Sequence, residues 1–134
     1  MATYNKFTPA IENLLEGINS GTDSWVIKLA TAVNQAAGTI TEVASGNGYT
    51  TGGNAATTST STQTGGTYKL VLVSPTMWTA SGAGFTFRYV ILYNLTRTQC
   101  IGYWDYGSSV VMNGTNGDTF TPTLDASSGT FTVT

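Results

Sequence analysis

Acid, base, nucleophile and metal chemistry in proteins is carried mainly by His, Cys, Asp, Glu and Lys. This chain is short of them: it has no histidine, one cysteine, five Lys or Arg and seven Asp or Glu in 134 residues. Cys100 stands between Gln99 and Ile101, with no basic neighbour to stabilise a thiolate, and reads as a small apolar residue of a buried strand. Glycoside hydrolysis needs two carboxylates across one cleft, and the spacing of the seven acids suggests no such pair. The chain is therefore not expected to be an enzyme. No catalytic, cofactor-binding or metal-ligating residue is assigned, and a hydrolase is the weakest reading of the chain.

Three stretches nevertheless gather residues that bind. Gly46-Asn47-Gly48-Tyr49-Thr50-Thr51-Gly52-Gly53 is rich in glycine, but it lacks the Lys-Ser/Thr and following helix of a phosphate loop. It reads as a loop whose glycines take positive φ while Tyr49 packs inward. Asn113-Gly114-Thr115-Asn116-Gly117-Asp118 offers oxygen atoms to calcium without the carboxylates and closing Glu of an EF-hand. Asn-Gly turns are the favoured reading there. Ile101-Gly102-Tyr103-Trp104-Asp105-Tyr106-Gly107 sets rings beside a carboxylate. That is the make-up of a sugar platform, since rings stack on sugars and Asp accepts their hydroxyls. Strand alternation puts Tyr103 and Asp105 on one face and Trp104 and Tyr106 on the other, and core packing is favoured over a platform.

The elements that must position these residues are nearly all strands. One helix is expected over residues 9–18: Thr8 caps, Pro9 takes the first position, and Ile11, Leu14, Leu15 and Ile18 follow at helical spacing. Glu12 suits the first turn, and Gly17 and Gly21 end the helix. This helix should cap one end of a sandwich. Residues 24–30 should form a strand with Trp25, Ile27 and Leu29 on one face, and residues 39–44 a second. Residues 55–64, rich in Thr, read as an exposed or edge strand, and residues 68–73 as a central one. In residues 85–94, Phe85, Phe87, Tyr89, Ile91 and Tyr93 should point one way, with Phe87, Tyr89, Ile91 and Trp104 in the core. Residues 99–106 should pair with that strand across a turn at 95–98, and residues 120–124 and 130–133 close the chain. Eight or nine short strands at this spacing imply a mainly β, single-domain antiparallel β-sandwich over residues 1–134, jelly-roll or immunoglobulin-like, with one short N-terminal helix. Residues 1–8 would form an arm outside the regular strands.

Charge and hydropathy narrow the partners. A net charge of -2, with Lys6, Lys28, Lys69, Arg88 and Arg97 scattered, gives no basic face for nucleic acid. No apolar run approaches the roughly 20 residues that span a bilayer. Residues 1–20 lack the apolar stretch of a signal peptide, broken as they are by Asn5, Glu12, Asn13 and Glu16. Neither nucleic acid nor membrane is expected as a partner.

The order of segments resembles a family of small virion structural proteins of tailed bacteriophages. The resemblance runs through Ala2-Thr3-Tyr4-Asn5-Lys6-Phe7 before the helix, and Thr41-Glu42-Val43-Ala44 leading into Gly46-Asn47-Gly48-Tyr49-Thr50 and Gly52-Gly53. It continues in Phe87-Arg88-Tyr89, Leu92-Tyr93-Asn94, the stretch Ile101 to Ser108, Asp118-Thr119-Phe120-Thr121 and Leu124-Asp125-Ala126-Ser127. It implies a capsid decoration or cement protein on the virion surface, made in the host cytoplasm, whose partner is the major capsid protein. A symmetric homo-oligomer, dimer or trimer, would bridge capsomers. Tyr4, Lys6 and Phe7 of the arm and Asn47, Tyr49 and Thr50 of the loop are the expected capsid contacts. A tail, baseplate or fibre component, with glycan binding, is the alternative.

Overall fold

Apolar residues at every second position make strands, and half of the protein is strand against a twentieth helix, so the fold is mainly β. The computed structural model describes residues 2–134. In chain order the elements are β1 (Thr3–Lys6), α1 (Ala10–Glu16), β2 (Trp25–Asn34), β3 (Thr39–Glu42), β4 (Asn54–Ala55), β5 (Thr58–Thr64), β6 (Thr67–Leu72), β7 (Trp78–Thr79), β8 (Phe85–Asn94), β9 (Gln99–Met112), β10 (Thr119–Phe120) and β11 (Phe131–Val133). The large sheet runs β1-β9-β8-β2-β3, with β4 added beside β2. A three-stranded sheet, β11-β6-β5, and a β10-β7 pair form the second layer. All the pairings are antiparallel, and the whole is a β-sandwich.

One core cluster joins the layers, from Phe7 to Phe131. Ile27, Leu29, Leu70, Ile91 and Leu92 have no measurable exposure, and each such side chain contributes about 1.5–3 kcal/mol by leaving water. Trp25 of the large sheet meets Phe131 of the small one edge-on, with ring centroids 5.8 Å apart. Trp25, Ile27 and Leu29 share the buried row that alternation implies, and Val26 is buried as well. β6 is central in its sheet and the Thr-rich β5 is at its edge, both as expected.

Three expectations need correction. The helix is shorter than 9–18. It spans Ala10–Glu16, Pro9 rather than Thr8 occupies the cap, and no side chain bonds there. Of its apolar stripe, only Leu14 and Ile18 pack on the core, while Ile11 and Leu15 face outward. The buried residue of the helix is Ala10, so its core-facing side runs through Ala10 and Leu14 rather than through Ile11 and Leu15.

The arm is not outside the strands. β1 pairs with β9 in register from Thr3↔Asp105 to Lys6↔Gly102, because β9 would otherwise expose its outer ladder.

The residues of β8 do not all point one way. Phe87 pairs with Val110 and Tyr89 with Asp105, so β9 uses more residues than β8 between those pairs and bulges at Tyr106 to Ser109. The ring of Phe87 accordingly meets Tyr106 and Phe120, whereas that of Tyr89 meets Tyr103. Phe87 and Ile91 are in the core, but Tyr89 and Trp104 are only half-buried.

Candidate binding site

Most of the candidate contact residues lie at opposite edges of the large sheet, since β1 ends one side and β3, which leads into the 46–53 loop, ends the other. The structure does not bring the two sets together. On the β1 side, Lys6 is exposed, and the ring of Phe7 is fully buried against Tyr103 at 5.1 Å. On the loop side, Asn47 and Thr50 are exposed, while Tyr49 is 2 % exposed. Phe7 and Tyr49 therefore hold the core, and their rings are not offered to a partner.

Tyr49 shows how the loop is fixed. Its hydroxyl donates to Glu42 Oε1 at 2.8 Å and accepts the Leu29 N–H at 3.1 Å. Glu42 Oε1 also accepts the Gly52 N–H, at 2.6 Å, and Oε2 accepts Lys28 Nζ at 3.2 Å. The ammonium of Lys28 lies 3.9 Å from the centroid of Tyr93. The Tyr49 ring stacks on Trp78 at 6.2 Å. Burial of the ring raises the Tyr49 pKa. The Leu29 N–H opposes that rise, and the Glu42 carboxylate adds to it. Gly53 has a φ of +75°, and a Cβ there would sit 2.1 Å from the Ile27 carbonyl oxygen, so only glycine lets the loop pass β2 so closely.

The β9 bulge has its own carboxylate. Asp105 accepts Arg88 Nε at 2.8 Å and Nη2 at 2.9 Å, a forked pair, and its Oδ1 also takes the Gly107 N–H at 2.7 Å. The Arg88 hydrogen bonds, with the Gly107 N–H, hold the Asp105 carboxyl below the usual range. Gly107, at φ +82°, supplies the left-handed turn of the bulge. Tyr103 and Asp105 fall on one face and Trp104 and Tyr106 on the other, as alternation requires, and Asp105 is committed to Arg88 rather than to the rings.

Trp104 and Tyr106 instead line a groove of about 970 Å³. Its sheet side is Tyr4, Val90, Trp104 and Tyr106, and its far wall is residues 121–132, which cross in front of the sheet. Tyr4 meets Trp104 edge-on at 5.2 Å, lies over the bare backbone of Gly102, and remains 36 % exposed. Burial pushes its hydroxyl up to about 12. Tyr106 is 39 % exposed. Phe87 and Phe120 support Tyr106 from below, at 6.0 Å and 5.9 Å. On the far wall, Asp125 Oδ1 accepts the N–H groups of Ser127 and Ser128, both at 2.8 Å. Those two bonds, that of Ser128 first, lower the Asp125 pKa.

Of this groove, sequence reasoning found Tyr4 as a contact and Trp104 and Tyr106 as a platform it did not favour. It missed the wall at 121–132, whose approach depends on long-range packing: Leu124 N–H bonds Ser74 Oγ, and Thr130 N–H bonds the Leu70 carbonyl. The Asn113 to Asp118 stretch closes on itself, with Asp118 Oδ2 accepting the Asn113 N–H and Asn113 Oδ1 accepting that of Thr115. Among the described residues, no group of three or more His, Cys, Asp or Glu could hold a metal ion, and no helix is long and apolar enough to cross a membrane. No protein-family model, curated protein or solved structure matches the chain.

Proposed function

We propose that the chain is a bacteriophage virion structural protein, a decoration or cement protein that binds the outer surface of the head. Its partner is the major capsid protein, and as a symmetric dimer or trimer it bridges capsomers. The segment-by-segment resemblance to small phage virion proteins supports this reading. The structural observation that carries it is the outward face of α1. Ile11 is 47 % exposed and Leu15 is 83 % exposed, one turn apart and directly after the β1 edge with Tyr4 and Lys6. Two large aliphatic side chains at i and i+4, left largely uncovered by the described residues, form an anchor suited to a shallow capsid groove. Many copies on a symmetric shell turn such small contacts into high avidity. Few charges take part, so attachment should change little with salt.

The test uses heads lacking the protein. Full-length chain should bind them and raise their melting temperature, and Ile11→Asp with Leu15→Asp should abolish binding while the isolated variant melts as the parent does. Point changes are preferred to deletion of residues 2–7, which would strip β1 from β9. A chain that ignores heads and co-purifies with tails ends the decoration reading in favour of a tail or baseplate role.

A further inference from the structure

We propose that the groove between β9 and residues 121–132 is a binding site for a neutral oligosaccharide. Three of its side chains are Tyr4, Trp104 and Tyr106, rings with an apolar body and a polar tip. Such rings stack on the C–H faces of pyranoses, and their tips exchange hydrogen bonds with hydroxyls. The opposite wall supplies small hydroxyl side chains and the carboxylate of Asp125. The Ser127 and Ser128 N–H groups fix that carboxylate through Oδ1, and Asp125 is exposed, so the carboxylate is within reach of a sugar hydroxyl. The volume, about 970 Å³, lies at the upper end of ligand clefts and suits several linked rings rather than one.

Charge selects among ligands. No Lys or Arg lines the groove among the described residues; the Lys69 ammonium behind the wall is taken up by the Ser127 carbonyl at 3.0 Å, and the Asp125 carboxylate that lines the groove disfavours a phosphate, sulfate or uronate. The site is also prepared in advance. Tyr106 is held by Phe87 and Phe120, Tyr4 by Trp104 and Gly102, and the wall by Leu124 and Thr130. Little ordering is left to oppose binding. The inference does not depend on the decoration reading, because it concerns the isolated chain.

The test titrates the full-length chain with maltohexaose, cellohexaose and mannohexaose, and with a heparin hexasaccharide as the anionic control. Tryptophan emission and amide chemical shifts are followed. Trp25 and Trp78 are each 3 % exposed, so a change in emission reports chiefly Trp104. At least one neutral hexasaccharide should shift the emission and move amides within residues 121–132. Trp104→Ala and Asp125→Asn should each weaken that binding about tenfold or more. Trp104→Phe should keep most of it, and Thr62→Ala on β5 should not change it. The proposal is overturned if no neutral hexasaccharide perturbs either signal, if heparin binds better than all three, or if a Trp104→Ala protein of native melting temperature binds like the parent. Should Trp104→Ala not fold, the amide map and Asp125→Asn decide: shifts away from residues 121–132, or an unaffected Asp125→Asn, overturn it equally.

Discussion

Two clusters in this molecule are built from the same residue types and differ in their closure. Around Glu42, a carboxylate meets Tyr49 and Lys28, which in turn pack on Trp78 and Tyr93. Around Asp125, a carboxylate shares a groove with Tyr4, Trp104 and Tyr106. In the first, both carboxylate oxygens are committed to donors of the fold and the Tyr49 hydroxyl is paired twice. One donor, Trp78 Nε1, is buried without a partner. In the second, the rings stand at 36 % and 39 % exposure at Tyr4 and Tyr106. Residue types alone therefore do not separate a structural clasp from a binding site. Commitment of the polar atoms does, since a buried polar group without a partner is costly and an accessible one is available to a ligand.

The sharpest way to break the comparison is to remove the centre of each cluster. Glu42→Ala strands the ammonium of Lys28, whose side chain is 14 % exposed, together with the Tyr49 hydroxyl and the Gly52 N–H. It should cost about 3–5 kcal/mol in urea unfolding, the range for one partner lost from a buried pair. Phe87→Ala, which removes the support beneath Tyr106, should cost a similar amount, about 3–5 kcal/mol. The two variants part company at the groove, because only Phe87→Ala should also disturb sugar binding. If Glu42→Ala proves nearly neutral, the Glu42 cluster is not a clasp.

Smaller changes probe closure itself. Gly53→Ala combines a φ of +75° with a clash against the Ile27 carbonyl, and should cost about 2 kcal/mol. Gly46→Ala has open space at its Cβ and should cost less. Tyr49→Phe leaves the Leu29 N–H unpaired and one oxygen of Glu42 without its phenol, a loss of about 1–3 kcal/mol. Trp104→Ala gives up the edge contact with Tyr4 and the indole's partial packing on the core, about 2 kcal/mol, less than Glu42→Ala, while abolishing most sugar affinity. That inverse ranking of stability and binding is the signature that separates the two regions.

The fold was largely legible because most strands obey one local rule. The span of β8 is the one its apolar run implies, Phe85–Asn94, and β6 and β5 take the central and edge places that their apolar and Thr-rich patterns imply. The β9 bulge was not legible. Gly107 hints at it, but the extra residues show only once β9 is laid against β8, and the bulge is what turns Phe87 away from Tyr89. β1 was hidden for a related reason: Tyr4, Asn5 and Lys6 look like an arm until the free edge of β9 is known. At the site, the rings were visible and the wall was not. Residues 121–132 carry only irregular backbone until Phe131, and nothing local says that they return to face Trp104.

Alkaline pH offers the mildest test of the same contrast. Burial raises the Tyr4 hydroxyl from 10.0 to about 12 and the Cys100 thiol from 9.0 to about 11, and it raises Tyr49, Tyr103 and Tyr106 as well. In the unfolded chain these groups lose protons at their ordinary values while the folded chain still holds them. Between those two values the unfolded state binds fewer protons, so stability falls as pH rises. Their contribution is therefore intact below about pH 9, declines first through Cys100, and declines further above about pH 10 as the tyrosines join. The melting temperature should be level from about pH 7 to 9 and drop between about pH 10 and 12. Tyr49→Phe should begin lower, having lost its hydrogen bonds, yet fall less steeply, because one titrating group is gone. Tyr4→Phe should start closer to the parent and flatten the curve less, since its ring is partly open to solvent. If the two variants trace parallel curves with the parent, the Tyr49 cluster is wetter than its geometry implies, and the distinction between a closed clasp and an open groove fails at its hydroxyls.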